Sequence, residues 1–230
     1  MMNAEIAKVL KRLHYPLEVM LTCMRWYVAY PLRHLEEMMA ERDISVDQST
    51  VHRWALKMLL PALNKIFRRS KRPVGKSWRM DETYILVRGK WKYLYRAVDK
   101  GGNTIDFLLR AQPDKAAARR FFEKAIAQHG QPDTVTIDGS ASNLAALHDV
   151  NAERETPVTI RQVKYLNNIV EQDHRAIKRL TRPMLGFKDF RCARILLGGI
   201  ELMHMIAKGQ MQAHEGRNPS AAEQFYSLAA

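Results

Sequence analysis

Three acidic residues far apart in the chain, Asp81, Asp138 and Glu171, stand where carboxylates can act together. Asp81 falls inside an aromatic and β-branched stretch, SWRMDETYILVR (77–88). Asp138 ends the short apolar run TVTID, and Glu171 lies near the start of a helical pattern. Clustered carboxylates repel unless a cation compensates, and hard oxygen donors select Mg2+, with Mn2+ able to substitute. Two such ions about 3.5–4 Å apart would activate an attacking oxygen and stabilise the leaving oxygen of an in-line phosphoryl displacement. Asp81, Asp138 and Glu171 are therefore the candidate catalytic and metal-holding residues.

The surroundings of Glu171 add to this. Glu171, His174, Arg175 and Lys178 fall at i, i+3, i+4 and i+7 and share one helical face. One carboxylate followed by three potential cations suits a metal beside a phosphate backbone, which makes His174, Arg175 and Lys178 candidate DNA contacts. The same spacing also describes a helix stapled by ordinary ion pairs, such as Glu171 with Arg175. Glu82, Asp99, Asp106, Asp133 and Asp173 read as surface, turn or capping residues. Trp78, Trp91, Tyr93 and Tyr95 read as core and cross-strand packing rather than base-stacking platforms. The two cysteines, Cys23 and Cys192, have no zinc-ligand spacing.

These residues need elements to position them. Residues 77–88, 91–99 and 103–110 form a strand meander punctuated at Gly89-Lys90 and Gly101-Gly102. A helix capped by Asp114 runs to Gly130, a buried parallel-type strand spans 134–138, and a helix spans 140–150. A fifth strand at 159–163 and a helix at 168–182 complete the order βββαβαβα, the RNase H-like α/β arrangement of a mixed sheet with helices on both faces. Asp138 and the start of the last helix then lie near strand carboxyl ends, where open α/β sheets gather their ligands.

Ahead of this lies an all-α segment. Pro16 and Pro31 each open a helical stripe, residues 43–46 break the pattern, and a third helix starts near Asp47 or Ser49. Two helices with a short turn, the second beginning polar and basic, predict a helix-turn-helix. Gln48, Ser49, Thr50, His52 and Arg53 would meet bases or phosphates, although a plain helical bundle fits the same pattern. Residues 64–77, basic and free of acid, read as a linker. The expected organisation is a helix-turn-helix domain (1–63), a basic linker (64–77), a catalytic domain (78–212) and a C-terminal tail (213–230).

The net charge of +13 is unevenly spread. Residues 1–76 hold 14 Lys/Arg against 7 Asp/Glu and residues 161–194 hold 9 against 3, so these two blocks carry the whole excess. Polyanions are the natural partner. No apolar run nears the roughly 20 residues that span a bilayer, and no secretory signal opens the chain. A cytoplasmic setting is expected.

The blocks WRMDETYILVRGKWKYLYRAVDKGGNTIDFLL, TVTID, IRQVKYLNNIVEQDHRAIKR and LGFKDFRCARILLGGIELMHMIAKGQ, in this order, resemble the DDE transposases of the sixth bacterial insertion-sequence family. Residues 24–54 resemble that family's helix-turn-helix region. The resemblance implies a metal-dependent polynucleotidyl transferase that nicks and joins DNA at terminal inverted repeats. It implies Asp81, Asp138 and Glu171 as the acidic triad, Lys178 as a DNA-holding cation, and an assembly of two or more copies on double-stranded DNA. Two departures stand out: the interval from Asp138 to Glu171 is slightly short, expected in the loop at 150–158, and Gly139-Ser140 replaces the usual Lys after Asp138. A DNA-binding regulator with an inactive core, or a structure-selective nuclease of the same fold, would share much of this pattern.

Overall fold

The computed structural model describes residues 6–7, 15–30, 32–212 and 219–230. They divide into two compact units, one spanning Pro73–Gly186 and the other joining Met1–Arg72 to Phe187–Ala230.

The helical unit begins with α1 (Leu17–Tyr27), whose Met20, Leu21, Met24 and Tyr27 are buried at helical spacing. Helix α2 (Leu32–Ala40) ends in a Schellman motif. There Ile44 N–H donates to Met39 O, Asp43 N–H donates to Ala40 O, and Asp43 takes the left-handed conformation at φ 57°. Helix α3 (Gln48–Trp54) follows, capped by Asp47, whose carboxylate accepts the Thr50 N–H at 2.9 Å. The predicted helix-turn-helix pair is thus α2–α3. Pro31 lies outside the described residues.

Helix α3 runs on through a π-helical turn (Ala55–Leu59) into α4 (Leu60–Arg69). Leu60 N–H bonds to Ala55 O, and Pro61 has no N–H to continue an α ladder, so the backbone widens at this point. Helix α4 overturns part of the linker expectation. Leu60, Leu63, Ile66 and Phe67 form a buried stripe, so residues 64–69 are helix and the break begins at Ser70.

In the central unit, β1 (Ser77–Val87), β2 (Lys90–Asp99) and β3 (Thr104–Arg110) form the antiparallel meander. Arg88 and Gly89, both at positive φ, make the first turn, one residue earlier than expected. Asp99 closes the second, accepting backbone N–H groups from Gly75, Gly101 and Asn103. Helix α5 (Lys115–His129), capped by Asp114, leads to β4 (Thr134–Ile137), α6 (Ala141–Ala152), β5 (Thr159–Gln162), a 3-10 turn (Lys164–Asn167) and α7 (Asn168–Thr181). The sheet order is β3-β2-β1-β4-β5, with β4 parallel to both β1 and β5. This is the RNase H-like arrangement. Trp78, Met80, Tyr95, Phe121, Phe122 and Leu147 belong to its core. The loop after α6 is held by Asn151, which exchanges two hydrogen bonds with the Val158 backbone.

Helix α8 (Phe190–Ala207) groups with the helical unit, not with the catalytic domain as its place in the sequence suggested. The reason is close packing. A Cβ on Gly199 would fall 2.7 Å from Val28 Cγ1 and 3.0 Å from both Leu60 Cδ atoms, and one on Gly198 would fall 3.2 Å from Asn64 Nδ2. The expected tail also gains structure. Helix α9 (Ala221–Ser227) starts in a capping box of Ser220 with Glu223 and buries Phe225. Among the described residues, no helix is long and apolar enough to cross a membrane.

Gly199→Ala should cost about 1–3 kcal/mol, because the new methyl meets atoms on both α1 side and α4 side. Urea unfolding should show a lower midpoint at unchanged slope. An unchanged midpoint would mean that the helices yield without strain.

Candidate active site

The parallel pairing of β1 with β4 places Trp78 opposite Val135 and Arg79 opposite Thr136. Two residues further along each chain are Asp81 and Asp138, which therefore emerge side by side beyond the end of β4. Asp81, Glu82 and Asp138 each offer a carboxylate oxygen, and these lie within 4.8 Å of one another. A cleft of about 470 Å³ is lined by Asp81, Asp138, Gly139, Ser140, Asn167 and Glu171. All three predicted acids thus reach one cleft, with Asp81 and Asp138 in the tight group and Glu171 on the wall.

Glu82, read from the sequence as a surface residue, is the acid that reasoning missed. Consecutive strand residues point to opposite faces, so Asp81 and Glu82 approach the same region from the two sides of the sheet. Glu82 accepts a hydrogen bond from Asn143 Nδ2 of α6 at 2.8 Å. Burial raises its pKa above the ordinary glutamate value, the Asn143 bond opposes this, and the charges of Asp138 and Asp81 raise it further. A group of hard oxygen donors whose charges disfavour one another fits a divalent cation. Asp138 itself accepts the Ser140 backbone N–H at 3.0 Å. Asn167, almost fully buried beneath the cleft, donates to Met80 O at 3.4 Å, and its Oδ1 has no partner among the described residues.

On the other face, α7 is tied to the sheet by a buried ion pair. Arg96 stands opposite Asp81 in the β1–β2 register and so shares its face. Its Nη2 lies 2.7 Å from Asp173 Oδ2, with both side chains buried. Asp173 is therefore not the surface or capping residue expected. Asp106 is corrected likewise, being buried in an ion pair with Lys124 at 2.7 Å. Asp99 does serve as a turn residue, and Asp133 is exposed.

The expected cationic face of α7 splits. Arg175 is exposed, Lys178 is half-buried and His174 is buried. His174 Nε2 lies 3.4 Å from Asp81 Oδ2, too far for a well-formed hydrogen bond, and its surroundings do not suit a DNA contact. Burial lowers the His174 pKa, against the pull of Asp81, so the neutral imidazole is favoured. Burial and Arg182 lower the Lys178 pKa, while the nearby Asp81 raises it.

In the helical unit, Ser49 and Arg53 of α3 are exposed. Gln48 donates to Glu36 Oε2 at 2.8 Å, Thr50 donates to Asp47 Oδ2 at 2.7 Å, and His52 is engaged with the Tyr27 hydroxyl through Nδ1. Ser49 likewise donates to Asp47 Oδ1 and Arg53 to Thr50 Oγ1, so all five are bonded within the unit, and Ser49 and Arg53 are set apart from the other three by exposure alone.

The chain is similar in sequence to known proteins. The family model of the DDE domain matches residues 75–210. The transposase for insertion sequence-like element IS431mec of Staphylococcus aureus (strain Mu50) is 38% identical over 195 residues, covering 83% of this chain and 85% of that protein. The chain belongs to the DDE transposases. The transposase for insertion sequence element IS257 in transposon Tn4003, also of S. aureus, is 37% identical over the same shares of the two chains. Among solved structures, the HTLV-2 integrase catalytic core domain in complex with magnesium covers 69% of the transposase chain, at 14% identity and a TM-score of 0.46. As a DDE enzyme the chain is a metal-dependent polynucleotidyl transferase.

Removing one partner of the buried pair should be severe for the transposase core. Arg96→Met leaves Asp173 as a buried charge without its guanidinium, at a cost of about 3–5 kcal/mol. The double variant Arg96→Met/Asp173→Leu should recover most of that stability. Chemical denaturation of the single and double variants measures the difference, and equal losses in both would remove the ion pair from the account.

Proposed function

We propose that this transposase nicks DNA at the terminal inverted repeats of its own element and joins the freed 3′-hydroxyls to target DNA, and that Asp81, Asp138 and Glu171 are its catalytic acids. The observation that carries the reading is the shared cleft. Two adjacent parallel strands and the first turn of α7 deliver one carboxylate each to it.

In this reading the three acids hold two Mg2+ ions, replaceable by Mn2+. Bound there, the ions supply Lewis-acid stabilisation of the attacking and leaving oxygens at the scissile phosphate. Glu82 adds a fourth carboxylate, oriented by Asn143. His174 packs against Asp81 and limits its rotation while staying neutral. Lys178, within the field of Asp81, and the exposed Arg175 are suited to the phosphates of the bound DNA end. Ser49 and Arg53 head the surface of α3 that would read the terminal repeats, with Gln48, Thr50 and His52 supporting it from within. Both element ends must be held at once, so the working form is a dimer or larger assembly on double-stranded DNA, acting at the nucleoid in the bacterial cytoplasm.

Cleavage and joining of a labelled duplex carrying the element's ends test the assignment directly. Activity should require Mg2+ or Mn2+, vanish in EDTA, and fall by more than about 100-fold in Glu171→Gln, Asp81→Asn and Asp138→Asn. DNA binding should persist in all three. Metal-independent binding by the unmodified protein, with no cleavage in either metal, would instead mark a DNA-binding regulator.

The raised pKa of Glu82 gives a second test. A carboxyl whose folded pKa lies above its unfolded value binds its proton more tightly when folded. Its contribution is most favourable below the unfolded pKa and declines as pH rises through the folded one. In EDTA at neutral pH, Glu82→Gln should therefore raise Tm by a few degrees, on the order expected for one relieved charge. Magnesium should raise Tm more in the unmodified protein than in this variant. A lower Tm in EDTA would show that the Asn143 bond outweighs the charge repulsion.

A further inference from the structure

The hairpin of β1 and β2 carries an aromatic surface that the core does not use. Trp91 is 61% exposed and Tyr84 is 53% exposed, although the sequence pattern suggested packing for Trp91. Tyr84 pairs across the strands with Tyr93, and Trp91 pairs with Leu86, so the three aromatic side chains share one face. Tyr84 makes edge contacts with both neighbours, at centroid distances of 5.3 Å to Tyr93 and 6.4 Å to Trp91. The cluster is ordered by its own members while its outer side stays open.

Charge says what suits that side. From Thr83 to Val98 the chain has no Asp or Glu, and Arg110 of β3 stands opposite Tyr93 on the aromatic face, whereas Lys90 and Lys92 alternate with Trp91 and project from the other face of the hairpin. Glu82 lies on the same face, four residues down β1 from Leu86, or about 13 Å along the strand. The aromatic surface thus continues the face of the sheet that carries one of the clustered acids. Aromatic rings set among cations are how proteins hold unpaired nucleotides, with bases stacked on the rings and phosphates beside the cations. Intact duplex hides its base faces and offers no counterpart to an exposed indole.

We propose that the β1–β2 hairpin is a binding surface for unpaired DNA, with Trp91 stacking on a base of the strand freed or frayed next to the cleavage site, Tyr84 and Tyr93 supporting it, and Arg110, opposite Tyr93 on the same face, at the phosphates. This inference rests on the transposase reading above and assigns that reading a further site.

Equilibrium binding by the full chain tests it, at fixed salt, on two DNAs with the same terminal repeat. One is blunt and the other bears a few unpaired nucleotides at the cleaved end. Trp91→Ala should weaken binding to the unpaired-end DNA by about 5- to 100-fold, the range for loss of one base–aromatic stack, and leave blunt-duplex affinity within about twofold. Trp91→Phe should restore most of the preference. Arg110→Gln should reduce the salt dependence of binding by about one ion. Trp91 is exposed, so the urea midpoint of Trp91→Ala should match the unmodified protein.

Equal effects on both DNAs, or none on either, would overturn the proposal. So would unchanged DNA binding with reduced self-association in sedimentation, which would give the surface to a second copy of the chain. Failure of the unmodified protein to bind either DNA would bring down the transposase reading, and this inference with it.

Discussion

Everything at the candidate active site depends on a short parallel ladder. Ser77–Arg79 pairs with Thr134–Thr136, and that register decides that Asp81 and Asp138 leave the sheet as neighbours. A slip of one residue would turn one of the two carboxylates to the opposite face and separate the pair. The register is held by what surrounds it. Trp78 and Val135 are buried in the core, and Asp133 and Thr134 both bond back to Lys76 O. The β4–β5 pairing then carries the same alignment outward to the strand that leads into α7.

The third acid arrives by a different route. Glu171 belongs to a helix, and its place depends on how α7 lies on the sheet. The pair of Arg96 with Asp173 fixes one point of that contact, and the packing of His174 on Asp81 fixes another. Both anchors sit on the face that Asp81 and Arg96 share. A buried ion pair is a poor source of stability compared with apolar packing, but it is intolerant of misalignment. That property suits a helix that brings Glu171 to the cleft lined by Asp81 and Asp138.

Much of this was legible in the sequence. Alternation in residues 77–110, the Asp114 cap and the apolar run at 134–137 marked the sheet and its helices, because half-buried strands and capped helices leave periodic traces. That Asp81, Asp138 and Glu171 would meet was legible from their places on the strand and helix plan and from the family resemblance of the blocks around them, and the three do line one cleft. Glu82 was not, since an acid beside another acid on a strand looks like surface. Arg96 and Asp173 were not, because a buried ion pair leaves no periodic trace and each partner alone resembles a solvated charge. The packing of helix α8 with the helical unit was not legible for a similar reason: its partners Val28 and Leu60 lie far away in the chain, and two glycines do not announce what they are close to. Trp91 misled in the other direction, because an aromatic residue in a strand is ordinarily packed.

The helical unit is assembled from both ends of the described chain, α8 and α9 grouping with α1–α4, while the other unit is contiguous in sequence. During synthesis, the central unit has all of its strands and helices available as soon as Gly186 has emerged. The helical unit must wait for Phe190–Ala207 before Gly199 can meet Val28 and Leu60. The newborn protein thus has the parts of its catalytic sheet before the parts of its complete helical core. Its first helices spend that interval with apolar side chains lacking their final cover, a period in which nascent chains are most open to chaperones and to misassembly.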